Sequence, residues 1–213
     1  MPGVQAVISD FGGVLTSPLQ GSFQAFHESS GVSPEALGEA MAHLAAVQGL
    51  NPLFELETGR LTEADFLSAL GERLSERLGR PVAMSDFGER YFAHLTPNRT
   101  MIDYMRALRE RGYRLAICTN NVREWEQRWR AMLPVDEIFD VVVDSAFVGS
   151  RKPEPRIYEL TLERLGVSAD AAVLIDDIEI NCAAARELGM GAVWFRDAQQ
   201  AMAETEAALA ATT

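Results

Sequence analysis

The chain has 213 residues, 47% of them hydrophobic, and carries 31 acidic against 19 basic side chains for a formal net charge of −12. That length is enough for one full core and a smaller second cluster. So acidic a surface argues against nucleic acid or an anionic membrane as partner, and no apolar run approaches the roughly 20 residues that span a bilayer. The N-terminal MPGVQAV has neither a charged leader nor an apolar signal core, which sets the expectation of a cytoplasmic protein. Cys118 and Cys182 lack metal-ligand spacing and are expected to be buried and reduced.

In chain order, residues 4–10 read as a buried strand, with Val7 and Ile8 leading into Asp10, Phe11 and the pair Gly12-Gly13. From about residue 20 to 96 the pattern is helical. Ser33-Pro34 is a cap followed by proline at the first helical position. Leu37, Ala40, Met41, Leu44 and Val47 recur at helical spacing until Asn51-Pro52 interrupts them. Thr62 with Asp65 resembles a capping box, and Phe66, Leu67, Leu70, Leu74 and Leu78 follow as an apolar stripe ended by Gly79 and Pro81. Phe87, Tyr91, Phe92 and Leu95 suggest one more short helix.

Beyond Pro97 strands and helices alternate. Ile102, Met105 and Leu108 mark a helix that stops at Gly112, and residues 113–120 form a strand ending in Thr119-Asn120. Trp125, Trp129 and Met132 share a helix face, and a third strand runs over 139–143. Pro153 and Pro155 open a helix. Residues 172–175 form a fourth strand that runs into Asp176-Asp177. Ile180, Ala184 and Leu188 continue as a helix up to Gly189, residues 191–195 are a fifth strand, and an Ala-rich helix closes the chain. The alternation predicts an α/β fold: a Rossmann-like parallel five-stranded sheet with helices on both faces, plus an inserted all-helical cap. The expected division is a core of 1–16 and 97–213 and a cap of 17–96.

Four strand ends carry polar residues: Asp10, Thr119-Asn120, Asp176-Asp177, and Lys152 on the loop after the third strand. Lys152 is the single lysine among the 19 basic residues. In a parallel sheet these ends share one rim, where ligands bind. Carboxylates gathered there repel one another, and a divalent cation lets them stay ionised; oxygen-only donors favour Mg²⁺ over zinc. A carboxylate and a cation beside a hydroxyl, an amide and an ammonium suit phosphoryl transfer.

With these motifs in this order the chain resembles the haloacid dehalogenase superfamily, in its phosphatase-like branch with a helical cap. SDFGGVLT resembles the nucleophile motif, CTNN the Ser/Thr motif, SRKPEPRIY the lysine motif and VLIDDIEINCAAARELGM the acidic metal motif. The last two are similar to the N-terminal phosphatase domain of soluble epoxide hydrolases. The resemblance implies that Asp10 is the nucleophile. It implies Asp177 as direct metal ligand, Asp176 supporting the metal or Lys152, and the carbonyl of Gly12 as a further Mg²⁺ ligand. Thr119, Asn120 and Lys152, with the Gly12-Gly13 backbone, would hold a phosphoryl group. The implied substrate is a small phosphorylated metabolite, hydrolysed through an aspartyl-phosphate.

One position departs from the pattern. Most phosphatases of this superfamily carry a second Asp two residues after the nucleophile, and here that residue is Gly12. General acid–base help is worth about 10²–10⁴ in rate. Three readings follow: a phosphatase for substrates with good leaving groups, a phospho-ligand or protein-binding module with weak turnover, and a metal-independent 2-haloacid dehalogenase. His27, His43 and His94 could each replace the missing acid, although the commoner reading is a partly exposed helix histidine. Trp125 and Trp129 are expected in the core. Asn181 either bonds the acidic motif or starts its helix. Arg123 adjoins the phosphate loop or is a solvated charge.

Overall fold

In the computed structural model, which describes residues 3–211, the chain builds a five-stranded, all-parallel sheet of order β3-β2-β1-β4-β5. The expected core range includes residues 1, 2, 212 and 213, which lie outside the described residues. The strands are β1 (Ala6–Ser9), β2 (Arg114–Thr119), β3 (Val141–Asp144), β4 (Ala172–Asp176) and β5 (Gly191–Trp194). All five lie where the apolar runs placed them. The third begins two residues later than expected, because Phe139 is a buried turn residue closing a short helix rather than the first residue of a strand.

Alternation along the central strands feeds two cores. Val7, Leu115, Ile117, Val173 and Ile175 face one cluster, and Ala6, Ile8, Ala116, Cys118 and Leu174 face the other. Between β1 and β2 lie α1 (Gln20–Ser30), α2 (Pro34–Gln48), α3 (Pro52–Glu57), α4 (Glu63–Leu78), α5 (Phe87–Ala93) and α6 (Arg99–Glu110). Between β2 and β4 come α7 (Glu126–Arg130), α8 (Val135–Ile138), α9 (Ser145–Val148) and α10 (Pro155–Leu165), followed after β4 by α11 (Glu179–Glu187) and after β5 by α12 (Ala198–Ala210). α6, α8 and α12 cover the first face and α10 with α11 the second. No helix is long and apolar enough to cross a membrane among the described residues.

Helices α1 to α5 gather around a third cluster that includes Phe26, Leu56, Phe66, Leu70 and Leu74. Their ends follow the local signals. Ser33 accepts the Ala36 N–H with Pro34 at the first helical position, and Gly79 ends α4 in a left-handed conformation. Thr62 caps the Asp65 N–H, yet the Asp65 carboxylate accepts a hydrogen bond from the Thr62 hydroxyl, since Asp is too short for the usual reciprocal bond. Asn51-Pro52 does more than interrupt a stripe: Asn51 caps the Leu53 N–H and starts α3. Val47, expected on the inner stripe of α2, is 71% exposed because it lies in the last turn, beyond the buried Ala36 and Ala40. The two chain passages joining these helices to the sheet run side by side, through a Thr16–Pro97 bridge and a Ser17 N–H to Thr96 bond.

Candidate active site

The strand order places β1 in the middle of the sheet, flanked by β2 and β4. Asp10 therefore leaves the end of β1 between Thr119, the last residue of β2, and Asp176, the last of β4. Its own N–H bonds the Ile175 carbonyl at 2.8 Å, which fixes the backbone beside β4. The carboxylates of Asp10, Asp176 and Asp177 each offer an oxygen within 4.8 Å of the others. Lys152 enters from the loop after α9, completely buried, and its Nζ lies 2.8 Å from Asp10 Oδ1 and 2.6 Å from Asp176 Oδ2.

The three carboxylates are not equivalent. Asp10 Oδ1 accepts from both the Phe11 N–H at 2.7 Å and the Lys152 ammonium, so Oδ2 is the oxygen left for chemistry. Asp176 is wholly enclosed: Oδ1 accepts from the Ile178 N–H and from Asn181 Nδ2, both at 2.9 Å, and Oδ2 is held by Lys152. The carboxylate of Asp177 is bonded by its own backbone N–H and by no other residue's donor among the described residues. Asp176 thus positions Lys152, and Asp177 stands open beside Asp10.

Electrostatics follow from that crowding. Burial pushes the Asp10 carboxyl up to about 7; the Lys152 ammonium opposes this, and the Asp176 and Asp177 charges add to it. Burial raises Asp177 too, with Asp176 adding to the shift. For Lys152 burial alone would favour the neutral amine, but Asp10 and Asp176 together outweigh it and hold the group well above its ordinary value. Three carboxylates around one ammonium leave two formal negative charges, which a divalent cation balances.

The glycine pair serves the acidic group sterically. Gly13 has φ +77°, and a β-carbon there would stand 2.3 Å from Asp177 Oδ2, so a side chain would fill the space this carboxylate uses. The Gly13 N–H, expected to help hold a phosphoryl group, bonds Thr16 Oγ1 at 3.1 Å. Gly12 has no such constraint: a β-carbon would meet only the Leu19 side chain, at 3.4 Å. Thr119 is buried at the site, with its hydroxyl making one long bond of 3.5 Å to the Asn120 carbonyl. Asn120, also expected to hold phosphoryl oxygens, has its amide engaged by both backbone groups of Lys152, at 2.8 and 2.9 Å. Its side chain positions the lysine loop, where the Lys152–Pro153 peptide is cis.

Other expectations resolve here. Asn181 bonds the acidic motif, and α11 buries Asn181, Cys182 and Ala185 while Ile180 is 63% exposed. Trp129 is core, 5.0 Å from the Phe11 ring. Trp125, expected there too, is half-buried, packs against two of the apolar clusters and also lines a cavity, stacked at 4.9 Å on Tyr91 with its indole N–H on Glu63. Arg123 is exposed and bonds the Ala146 carbonyl, away from the phosphate loop. Both cysteines are buried and unpaired.

The cavity, about 440 Å³, lies between the helical unit and the strand ends. Gly12, Thr119 and Asn120 form its sheet side; Leu19, Phe23, Phe26, Leu37 and Phe66 give the helical side an apolar surface. No histidine lines it among the described residues: His27 bonds the Val32 carbonyl, and His43 and His94 are exposed. One residue lining it, Glu57, carried no sequence signal. Glu57, at the end of α3, meets Arg151 in an ion pair of 2.6 Å, and Arg151 lies 3.8 Å over the Phe54 ring.

A family model for haloacid dehalogenase-like hydrolases matches residues 4–189. The chain belongs to that family. Within it, bifunctional epoxide hydrolase 2 of Rattus norvegicus is 28% identical over 166 residues, which are 73% of this chain and 30% of that protein. Glyceraldehyde 3-phosphate phosphatase of Pyrococcus abyssi is 39% identical over 92 residues, 42% of this chain and 38% of that protein. The matches thus span well under half the length of these relatives. A haloacid dehalogenase-family enzyme of Bacteroides thetaiotaomicron, solved as a magnesium complex, superposes with TM-score 0.67 at 23% identity over 90% of this chain and 93% of that one. L-2-haloacid dehalogenase of Xanthobacter autotrophicus gives 0.62 at 21% identity over 89% and 76%. At such identities the solved structures show the shared haloacid dehalogenase fold.

Proposed function

We propose that this hydrolase is a Mg²⁺-dependent phosphatase that cleaves a small phosphate monoester through an aspartyl-phosphate on Asp10. The observation that carries the reading is the division of labour among the acidic groups: Asp10 keeps one free oxygen, Asp176 is fully engaged, and Asp177 is open beside them.

The donor set fits a hard cation, being all oxygen, with one carboxylate that no other residue holds and a glycine cradle that clears its space. Asp10 and Asp177 would hold it, with the Gly12 carbonyl and support from Asp176. Bound there, it balances the acidic cluster and stabilises charge on the phosphoryl oxygens. The chain's own groups do the rest. Lys152 and the Phe11 N–H grip Asp10 Oδ1 and aim Oδ2 at phosphorus. The Thr119 hydroxyl and the Lys152 ammonium stabilise negative charge on the phosphoryl group. The helical unit acts as a cap that limits water at the site, and its apolar lining suits a substrate whose leaving group is largely apolar.

The test is phosphate release from aryl and alkyl phosphates after chelation and after Mg²⁺ is returned. Activity lost on chelation and restored by Mg²⁺ is the expected result. Chloride release from 2-chloropropionate without metal would replace this reading with dehalogenation. Phosphate-ester binding without turnover would replace it with a binding module.

A further inference from the structure

Resting on the phosphatase reading, we propose that Glu57, carried by the helical unit, exchanges the proton that residue 12 cannot. Gly12 has no side chain, so proton donation to a poor leaving group calls for another ionisable group in the cavity. Among the described residues lining that cavity, Glu57, Glu63 and Tyr91 have ionisable side chains. Glu63 Oε1 is bound by the Trp125 indole N–H at 2.7 Å and packs toward Gly88, where a β-carbon would lie 2.9 Å away. Burial raises the Tyr91 phenol far above its ordinary value, which makes it a poor proton carrier near neutral pH.

Glu57 is placed differently. It ends α3, is mostly buried, and is anchored twice: its carbonyl accepts the Ser145 hydroxyl, and Oε2 accepts Arg151 Nε. Oε1 has no partner among the described residues. Arg151 directly precedes Lys152, so the ion pair ties Glu57 to the loop that delivers the ammonium to Asp10. Burial raises its carboxyl, with Arg151 and then Lys152 pulling the other way.

The steps balance. Asp10 Oδ2 bonds phosphorus as the phosphorus–oxygen bond to the leaving group breaks, and the Glu57 acid gives its proton to that oxygen, releasing an alcohol. The Glu57 carboxylate then takes a proton from water as the water oxygen bonds phosphorus. The Asp10–phosphorus bond breaks and inorganic phosphate leaves.

The experiment compares kcat/KM for benzyl phosphate, a poor leaving group, with p-nitrophenyl phosphate, a good one, because kcat/KM reports the step that expels the leaving group. Glu57→Gln should lose about 10²-fold or more on benzyl phosphate and only a few-fold on p-nitrophenyl phosphate. It should also show a burst of nitrophenol as the aspartyl-phosphate accumulates. Gly12→Asp added to Glu57→Gln should restore benzyl phosphate hydrolysis. Arg151→Met, which removes the ion pair and keeps the carboxyl, should preserve the wild-type ratio between the substrates. Equal losses on both substrates in Glu57→Gln, matched by Arg151→Met, would reduce Glu57 to a latch, and an unchanged ratio in Glu57→Gln would overturn the assignment while the phosphatase reading stood. A wild-type protein with no Mg²⁺-dependent turnover would remove both.

Discussion

Gly13 and Asp177 occupy one another's space: where a β-carbon would sit on Gly13, Asp177 Oδ2 lies 2.3 Å away. Gly13→Ala should therefore displace the open carboxylate of the acidic group, besides the cost of about 1–2 kcal/mol for a left-handed non-glycine residue. Mg²⁺ affinity, followed by calorimetric titration, is expected to fall about tenfold or more, which corresponds to about 1.4 kcal/mol. Unchanged affinity in a folded variant would place the cation away from Asp177.

Asp10→Asn keeps the shape of the nucleophile and removes its charge. Lys152 retains Asp176 as counter-ion. Turnover is expected to drop to background while the thermal midpoint stays within a few degrees of wild type. Normal phosphate release by the Asn variant would mean that another group attacks phosphorus.

Lys152→Met leaves Asp176 with no exposed surface and no counter-ion. Removing one partner of a buried pair costs about 3–5 kcal/mol. Urea unfolding should show a loss of that order in metal-free protein. A variant as stable as wild type would show that Lys152 is not needed to keep Asp176 buried.

A pH effect comes from Asp144, remote from the acidic group. Its Oδ1 caps the Ala146 N–H, the buried Trp129 indole N–H faces the carboxylate, and burial outweighs both and pushes the carboxyl from 3.8 up to about 6. The folded state therefore holds a proton there that the unfolded state has released between pH 4 and 6. Stability from this group is present below about pH 4 and lost as pH rises through 6, by about 2–3 kcal/mol. Asp144→Asn has no such titration. The stability difference between wild type and variant should shift by that amount between pH 4 and 7, in favour of the variant; a constant difference would show that Asp144 titrates normally.

Local chemistry made much of this protein legible before any fold was known. Each strand is a short apolar run closed by a polar or turn residue, so Asp10, Thr119 and Asp176 could be assigned to strand ends from neighbours alone. Parallel alternation then puts those ends on one rim, because βαβ connections return every strand in the same direction. Helix caps at Ser33, Asn51 and Thr62 are local as well, each side chain bonding a backbone N–H two or three residues ahead.

What only the tertiary structure decided involves partners far apart in the chain. Nothing near Asp176 and Asp177 says which is locked and which is open; that depends on Lys152, 24 residues from Asp176 in sequence, and on how α11 turns Asn181 inward. The Asn120 side chain braces the lysine loop 32 residues away, while the residue also lines the cavity. Glu57 and Arg151, 94 residues apart, meet because α3 docks beside that loop. Hydrophobic period and capping chemistry act over a few residues and so can be read along the chain. The pairing of buried charges is settled by which desolvated groups the packed layers leave within reach, and no local pattern encodes that distance.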